Sequence, residues 1–193
     1  MKETLLLYFL TACFITKGIS QDLTSKEKAE SLAQNEFSKS KYKKVEKYGV
    51  VKEMNKVITS TPVAQNDLHF YNGNYWYQDL QYKMEIRTDA QDKLMATLSM
   101  PNKPEVQLKN VSVNDAYFTG VVQYQDGSEE KWEGVFIDKN DNGNREFGLG
   151  IKLSKPIQFT EGLQLTRLFF KKVSLNKLLI NPPLIHFYVQ KLF

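Results

Sequence analysis

The chain is poor in the residues that carry most enzyme chemistry. Among its 193 residues there is one cysteine, Cys13, and there are two histidines, His69 and His186. A single thiol excludes an internal disulfide framework and any multi-thiolate metal site. The two histidines lie far apart in sequence, and no Gly-x-Ser-x-Gly elbow or phosphate-cradling glycine loop occurs. Gly148-Leu149-Gly150 lacks the third glycine and the following helix of such a loop, so it is a strand feature. No catalytic residue, metal ligand or cofactor is assigned. An enzyme whose site is assembled from distant strands is the third of three readings.

A strongly basic body is also missing. The formal net charge is +4, and the excess over the first residues lies in one stretch. Segment 22–56 holds Lys26, Lys28, Lys39, Lys41, Lys43, Lys44, Lys47, Lys52 and Lys56 against Asp22, Glu27, Glu30, Glu36, Glu46 and Glu53. From residue 57 onward the charges cancel. A nucleic-acid binder concentrates Lys and Arg on its folded body, so no nucleic-acid partner is expected. The lysine cluster reads as a solvated, solubilising arm, with an anionic surface or lipid partner as the alternative.

One long apolar run exists near the start, Thr4 to Ile15 after Lys2. It is too short to span a bilayer and has the length of a secretory h-region. Gly18-Ile19-Ser20 offers small residues for cleavage before Gln21, so residues 1–20 are read as a signal peptide. The mature protein is then periplasmic or secreted, with no transmembrane helix. The alternative is a lipoprotein: Leu10-Thr11-Ala12-Cys13 resembles a lipobox, which would anchor the chain by a lipid at Cys13. Its h-region would be short, and Phe14 and Ile15 are not the usual polar tether.

What is present is a β pattern. Thr24-Ser25-Lys26-Glu27 forms a capping box, and Ala29, Leu32, Ala33, Glu36 and Phe37 follow at helical spacing. This predicts a short helix over 24–38. Residues 39–47 read as loose and polar, and 48–58 as strand or helix, with Gly49 and the valine pair favouring strand. From residue 68, apolar alternation recurs in segments 68–78, 81–88, 93–100, 105–113, 116–124, 130–138, 146–153 and 163–173. Asp126-Gly127 and Asn142-Gly143 supply the positive-φ residues of tight hairpins. Short turns favour meander order. The prediction is a mainly β chain: an antiparallel up-and-down barrel of about eight strands after a short N-terminal α-helix, with an antiparallel β-sandwich as alternative. The domains are a signal peptide (1–20), a helix-bearing basic arm (21–62), a barrel (63–173) and an apolar C-terminal tail (174–193). Pro182-Pro183 interrupts that tail, which packs on the barrel or meets an envelope protein partner.

Two stretches carry a family resemblance: Tyr71-Asn72-Gly73-Asn74-Tyr75-Trp76 on the first strand, and Thr166-Arg167-Leu168-Phe169-Phe170 on the last. Residues 70–173 resemble the lipocalin-like (calycin-type) barrels of small secreted bacterial proteins. Calycins set Gly-x-Trp on strand one and pack a last-strand Arg or Lys against that Trp. This chain has Gly-x-Tyr, with Trp76 one place later. The resemblance implies a non-catalytic role in binding a small apolar ligand. It also places Arg167 against Tyr75 and Trp76.

The candidate ligand-binding residues are Tyr82, Met84, Phe118, Tyr124, Trp132, Phe136 and Arg167. All but Arg167 are apolar or aromatic members of alternating strands. With Ile86, Leu94, Leu98, Phe147 and Leu149 they form one face, and they line a cavity if the barrel is open. If it is filled, the chain is a cell-envelope structural or protein-interaction module. Glu129, Glu130 and Glu133 read as a solvated rim, with Glu130 and Glu133 on opposite faces. Asp138-Lys139-Asn140-Asp141-Asn142-Gly143 matches half an EF-hand loop, but Leu149 stands at the closing position, so it reads as a hairpin turn.

Overall fold

The computed structural model describes residues 22–47, 50–160 and 162–173. The expected signal peptide, Cys13 and the C-terminal tail lie outside them. Strand β1 spans Lys39–Lys47 and β2 Val50–Pro62. Then follow β3 (Gly73–Tyr77), β4 (Tyr82–Thr88), β5 (Leu94–Ser99), β6 (Val106–Gln107), β7 (Lys109–Asn114), β8 (Tyr117–Gln123), β9 (Glu129–Asp141), β10 (Asn144–Thr160) and β11 (Leu163–Val173). Nine of these, β3 to β11, form a nearly closed antiparallel barrel. Every neighbour in it is a chain neighbour, except that β11 returns to pair with β3. That last pairing makes the fold a meander barrel and not a sandwich. The extra strand comes from segment 105–113, which is split at Leu108 into β6 and β7. The Leu108 amide donates to the Ala96 carbonyl at this corner, 2.8 Å away.

The turns follow the expected chemistry. Asn142 and Gly143 both have positive φ in the two-residue link between β9 and β10, and the Gly143 amide donates to the Asn140 side chain. Asp138 is engaged by Arg145. Asp115 and Ala116 form the analogous link from β7 to β8.

Inward and outward positions alternate as the sequence indicates. Met84, Ile86, Leu98, Phe118, Trp132, Phe136, Leu149, Ile151, Leu168 and Phe170 are each at most 1% exposed. Gly120 stands opposite Trp132 and Gly134 opposite Phe118, so the two largest rings on β8 and β9 face residues without side chains.

The helix, α1 (Ser25–Leu32), has the capping box intact: Thr24 accepts from the Glu27 amide, and Glu27 accepts from the Thr24 amide. A π-helical turn, Ala33–Phe37, extends it. Ala29, Ala33 and Phe37 lie four apart and are all buried. They pack on the outside of the barrel over β8, β9 and β10. The Phe37 ring occupies the space where a Cβ on Gly150 would stand, 2.6 Å away. This explains why Val135 and Ile137, on the outer face of β9, are fully buried.

Residues 39–47, expected to be loose, form strand β1. The backbone pairs with β2 in unbroken register from Lys39–Ile58 to Lys47–Val50. Near its end β2 also pairs with β9, from Ile58–Asp141 to Pro62–Ile137. The arm is therefore stitched into the same sheet as the barrel.

Candidate functional site

At one mouth, a 3₁₀ turn, Leu68–Tyr71, crosses the barrel where strand was expected. The Asp67 side chain accepts from the His69 amide and starts the turn. Tyr71 is fully buried. Its ring lies 4.3 Å from that of Phe136. Its hydroxyl donates to the Val63 carbonyl and accepts from the Gln65 amide. Tyr75 points inward beneath it and donates to the Tyr71 carbonyl at 2.6 Å. Burial pushes the Tyr75 phenol well above its ordinary range.

Lys172 completes this mouth. It is opposite Tyr75 in the β11–β3 pairing. Its ammonium lies 5.5 Å from the Phe70 ring, 5.7 Å from Tyr75 and 5.5 Å from Phe147. It donates to the Phe70 carbonyl. Burial holds its pKa below the ordinary lysine value. A Cβ on Gly73 would meet the far end of the Lys172 side chain at 2.9 Å, and the φ of 146° at this position disfavours any other residue. The last-strand cation over the first-strand aromatic is thus Lys172 over Tyr75.

Arg167 does not take that place. It is paired with Lys152 in the β10–β11 ladder and lies on the outer face. There it meets Glu36 of the π-helical turn at 3.3 Å, and Glu36 also holds Lys152 at 2.9 Å. Parity decides the matter: Leu168 and Phe170 point inward, so Arg167 points outward and Lys172 inward. Trp76 is also outward, with the Lys83 ammonium 5.8 Å from its ring. Arg167 is therefore removed from any interior ligand site.

The opposite mouth is polar. The Tyr124 hydroxyl donates to Glu130 at 2.7 Å and the Ser154 hydroxyl to the other carboxylate oxygen at 2.8 Å. Burial alone would raise the Glu130 pKa, but the bonds from Tyr124 and Ser154 outweigh it and hold it below the ordinary value. Burial, reinforced by Glu130, raises Tyr124. The buried Trp132 indole N–H lies beside this pair but completes no hydrogen bond among the described residues. Outside the network, Met100, Lys103, Pro104, Val106, Tyr124 and the turn residues Gln125, Asp126 and Ser128 line an open cleft of about 350 Å³.

Met84, Phe118, Trp132 and Phe136 thus share the predicted face, and they fill it. Phe118 and Phe136 meet edge to face, and Trp132 packs on Phe170. Tyr82 and Tyr124 stand half-buried at the polar mouth. Sequence reasoning missed Glu130 as the acceptor shared by Tyr124 and Ser154. Parity had set Glu130 and Glu133 apart, and that was the available signal: Glu130 shares its face with Trp132.

No family model, curated protein or solved structure matches the chain. The site is therefore read from its own geometry. Among the described residues no group of His, Cys, Asp and Glu could hold a metal ion. No helix among them is long and apolar enough to cross a membrane. The Glu130 carboxylate is held by two hydroxyls, an arrangement that fixes a side chain in place.

Proposed function

We propose that the chain is a non-catalytic, exported module of the cell envelope, lipocalin-like in architecture, that works through its outer surface and not through a deep cavity. One observation carries this reading: Met84, Phe118, Trp132 and Phe136, the side chains that would line a ligand chamber, are at most 1% exposed and packed on one another. Eight-stranded barrels either hold one small ligand or are filled by their own side chains. The test is titration of the purified protein with fatty acids while Trp fluorescence is followed. The expected result is no saturable change. A saturable change abolished by Phe136→Asp, in a variant that still melts cooperatively, would restore the interior ligand.

The second reading keeps a small apolar ligand but moves it to the polar mouth. The open Trp132 N–H and the cleft edged by Met100, Val106 and Tyr124 favour it. A saturable signal lost in Tyr124→Ala and kept in Phe136→Leu would select this site.

A further inference from the structure

The unbroken β1–β2 register sorts the lysines of the arm. In an antiparallel ladder, directly opposed residues share a face and successive residues alternate. Lys39, Lys41, Lys43, Val45 and Lys47 of β1 therefore share one face with Ile58, Lys56, Met54, Lys52 and Val50 of β2. The other face carries Ser40, Tyr42, Lys44 and Glu46 with Val57, Asn55, Glu53 and Val51. The first face holds six lysines and no acid; the second holds one lysine and two glutamates.

The first face can be located. Lys39 and Ile58 line one cleft with Phe37, Lys139, Arg167 and Phe169, so it continues the outer face of the barrel beside α1. At its base Asp141 is opposite Ile58 and Glu36 lies in the cleft. Outward from that rung come Lys41, Lys43, Lys47, Lys52 and Lys56. Outward from Ile58, among the described residues, the two strands pair only with each other.

We infer that this face is a docking surface for an anionic phospholipid bilayer. Three features choose that occupant. The segregation of charge is the first. Lysines that merely keep an edge strand from pairing with another chain act on either face, and these are gathered on one. The second is the interleaving: in four of the five rungs a lysine is opposed by an aliphatic or thioether residue, namely Ile58, Met54, Val45 and Val50. Cations beside apolar groups suit the headgroup and acyl boundary of a membrane and give nothing to a fully polar polyanion. The third is the use of lysine without a single arginine. Lysine serves a diffuse anionic surface, whereas bidentate reading of bases favours arginine. A bilayer would also cover a two-stranded ribbon, which is marginal on its own in water. The inference rests on the surface-acting reading above and names the surface.

Flotation of residues 21–193 with vesicles tests it. Vesicles of phosphatidylcholine alone are compared with vesicles containing one-third phosphatidylglycerol. Wild type should float only with the anionic vesicles, and salt should weaken the binding. Lys41→Glu, Lys43→Glu, Lys52→Glu and Lys56→Glu combined should lower binding at least about 10-fold, since each lysine near such a surface adds to the attraction. The same charge change made at Lys93, Lys103, Lys109 and Lys155 should lower it by less than about threefold. Val45→Ser with Met54→Ser should weaken binding that remains at high salt. Circular dichroism melting checks that each variant is folded. Absence of flotation, equal loss from both lysine sets, or tighter binding to a nucleic-acid duplex than to vesicles would overturn the proposal. Saturable fatty-acid binding in the interior would instead remove the surface-acting reading while leaving the flotation result to stand or fall alone.

Discussion

The two mouths of the barrel are closed by opposite chemistry. At one, a 3₁₀ turn inserts Tyr71 against Phe136, and Lys172 spans Phe70, Tyr75 and Phe147. At the other, Tyr124 and Ser154 hold Glu130, and the Trp132 N–H is left open. The first closure is mainly aromatic, and both of its buried hydroxyls are satisfied by backbone: Tyr71 on two sides and Tyr75 by the Tyr71 carbonyl. The second is a hydrogen-bonded network whose charge depends on pH. The backbone of the segment before β3 is tied to the Tyr71 hydroxyl, and Tyr71 itself belongs to the core.

The largest expected effect breaks the aromatic mouth. Phe136 meets the rings of Tyr71, Tyr75, Phe118 and Phe147. Phe136→Ala should cost about 3–5 kcal/mol in urea unfolding, from lost transfer energy and the cavity left behind. A loss below about 1.5 kcal/mol would mean that this mouth is loosely packed.

Tyr71→Phe should come next, at about 1–3 kcal/mol, because it leaves the Val63 carbonyl and the Gln65 amide without their partner. Hydrogen exchange at the Gln65 amide should accelerate. Equal costs for Tyr71→Phe and Tyr124→Phe would erase the contrast between the mouths.

Lys172→Met should cost about 1 kcal/mol. It forfeits three ring contacts worth ~0.5–2 kcal/mol together with the bond to Phe70, and it regains the cost of half-burying an ammonium. A stabilising result would show that desolvation outweighs the cage.

Much of this architecture was legible in the chain. Alternation set Met84, Phe118, Trp132 and Phe136 on one face, and the capping box at Thr24 and Glu27 began the helix. Three things were not legible, each for a physical reason. Strand β1 has almost no apolar alternation in its sequence, and only the pairing register sorts its lysines. Arg167 was set against the first strand by analogy, and one residue of parity reverses its face, leaving Lys172 in that role. Whether the barrel is open depends on volume, which is governed by Gly120 and Gly134 facing large rings and by a turn that read as strand.

The smallest effect separates the mouths by pH. Glu130 has a folded pKa below its ordinary 4.5. The unfolded chain therefore takes up this proton first on acidification, and stability present above pH 4.5 is lost as pH falls through the folded value. Tyr124→Phe removes a hydrogen bond that sustains that depression, so the variant should lose less stability between neutral pH and pH 4 than wild type does. Glu130→Gln should flatten the same limb further. Lys172→Met, at the other mouth, should leave the acid limb unchanged. On the alkaline side, burial raises Tyr124 and Tyr75, whose stability is present below pH 10 and lost above it. Lys172, lowered by burial, acts with the opposite sign: its folded form sheds the proton first, so stability rises as pH approaches 10.5. Lys172→Met should therefore steepen the alkaline decline, while Tyr124→Phe makes it shallower. Urea midpoints measured across a pH series for the four proteins decide this. If the acid limb responds equally to Tyr124→Phe and Lys172→Met, the titration belongs to the fold as a whole and not to the Glu130 mouth.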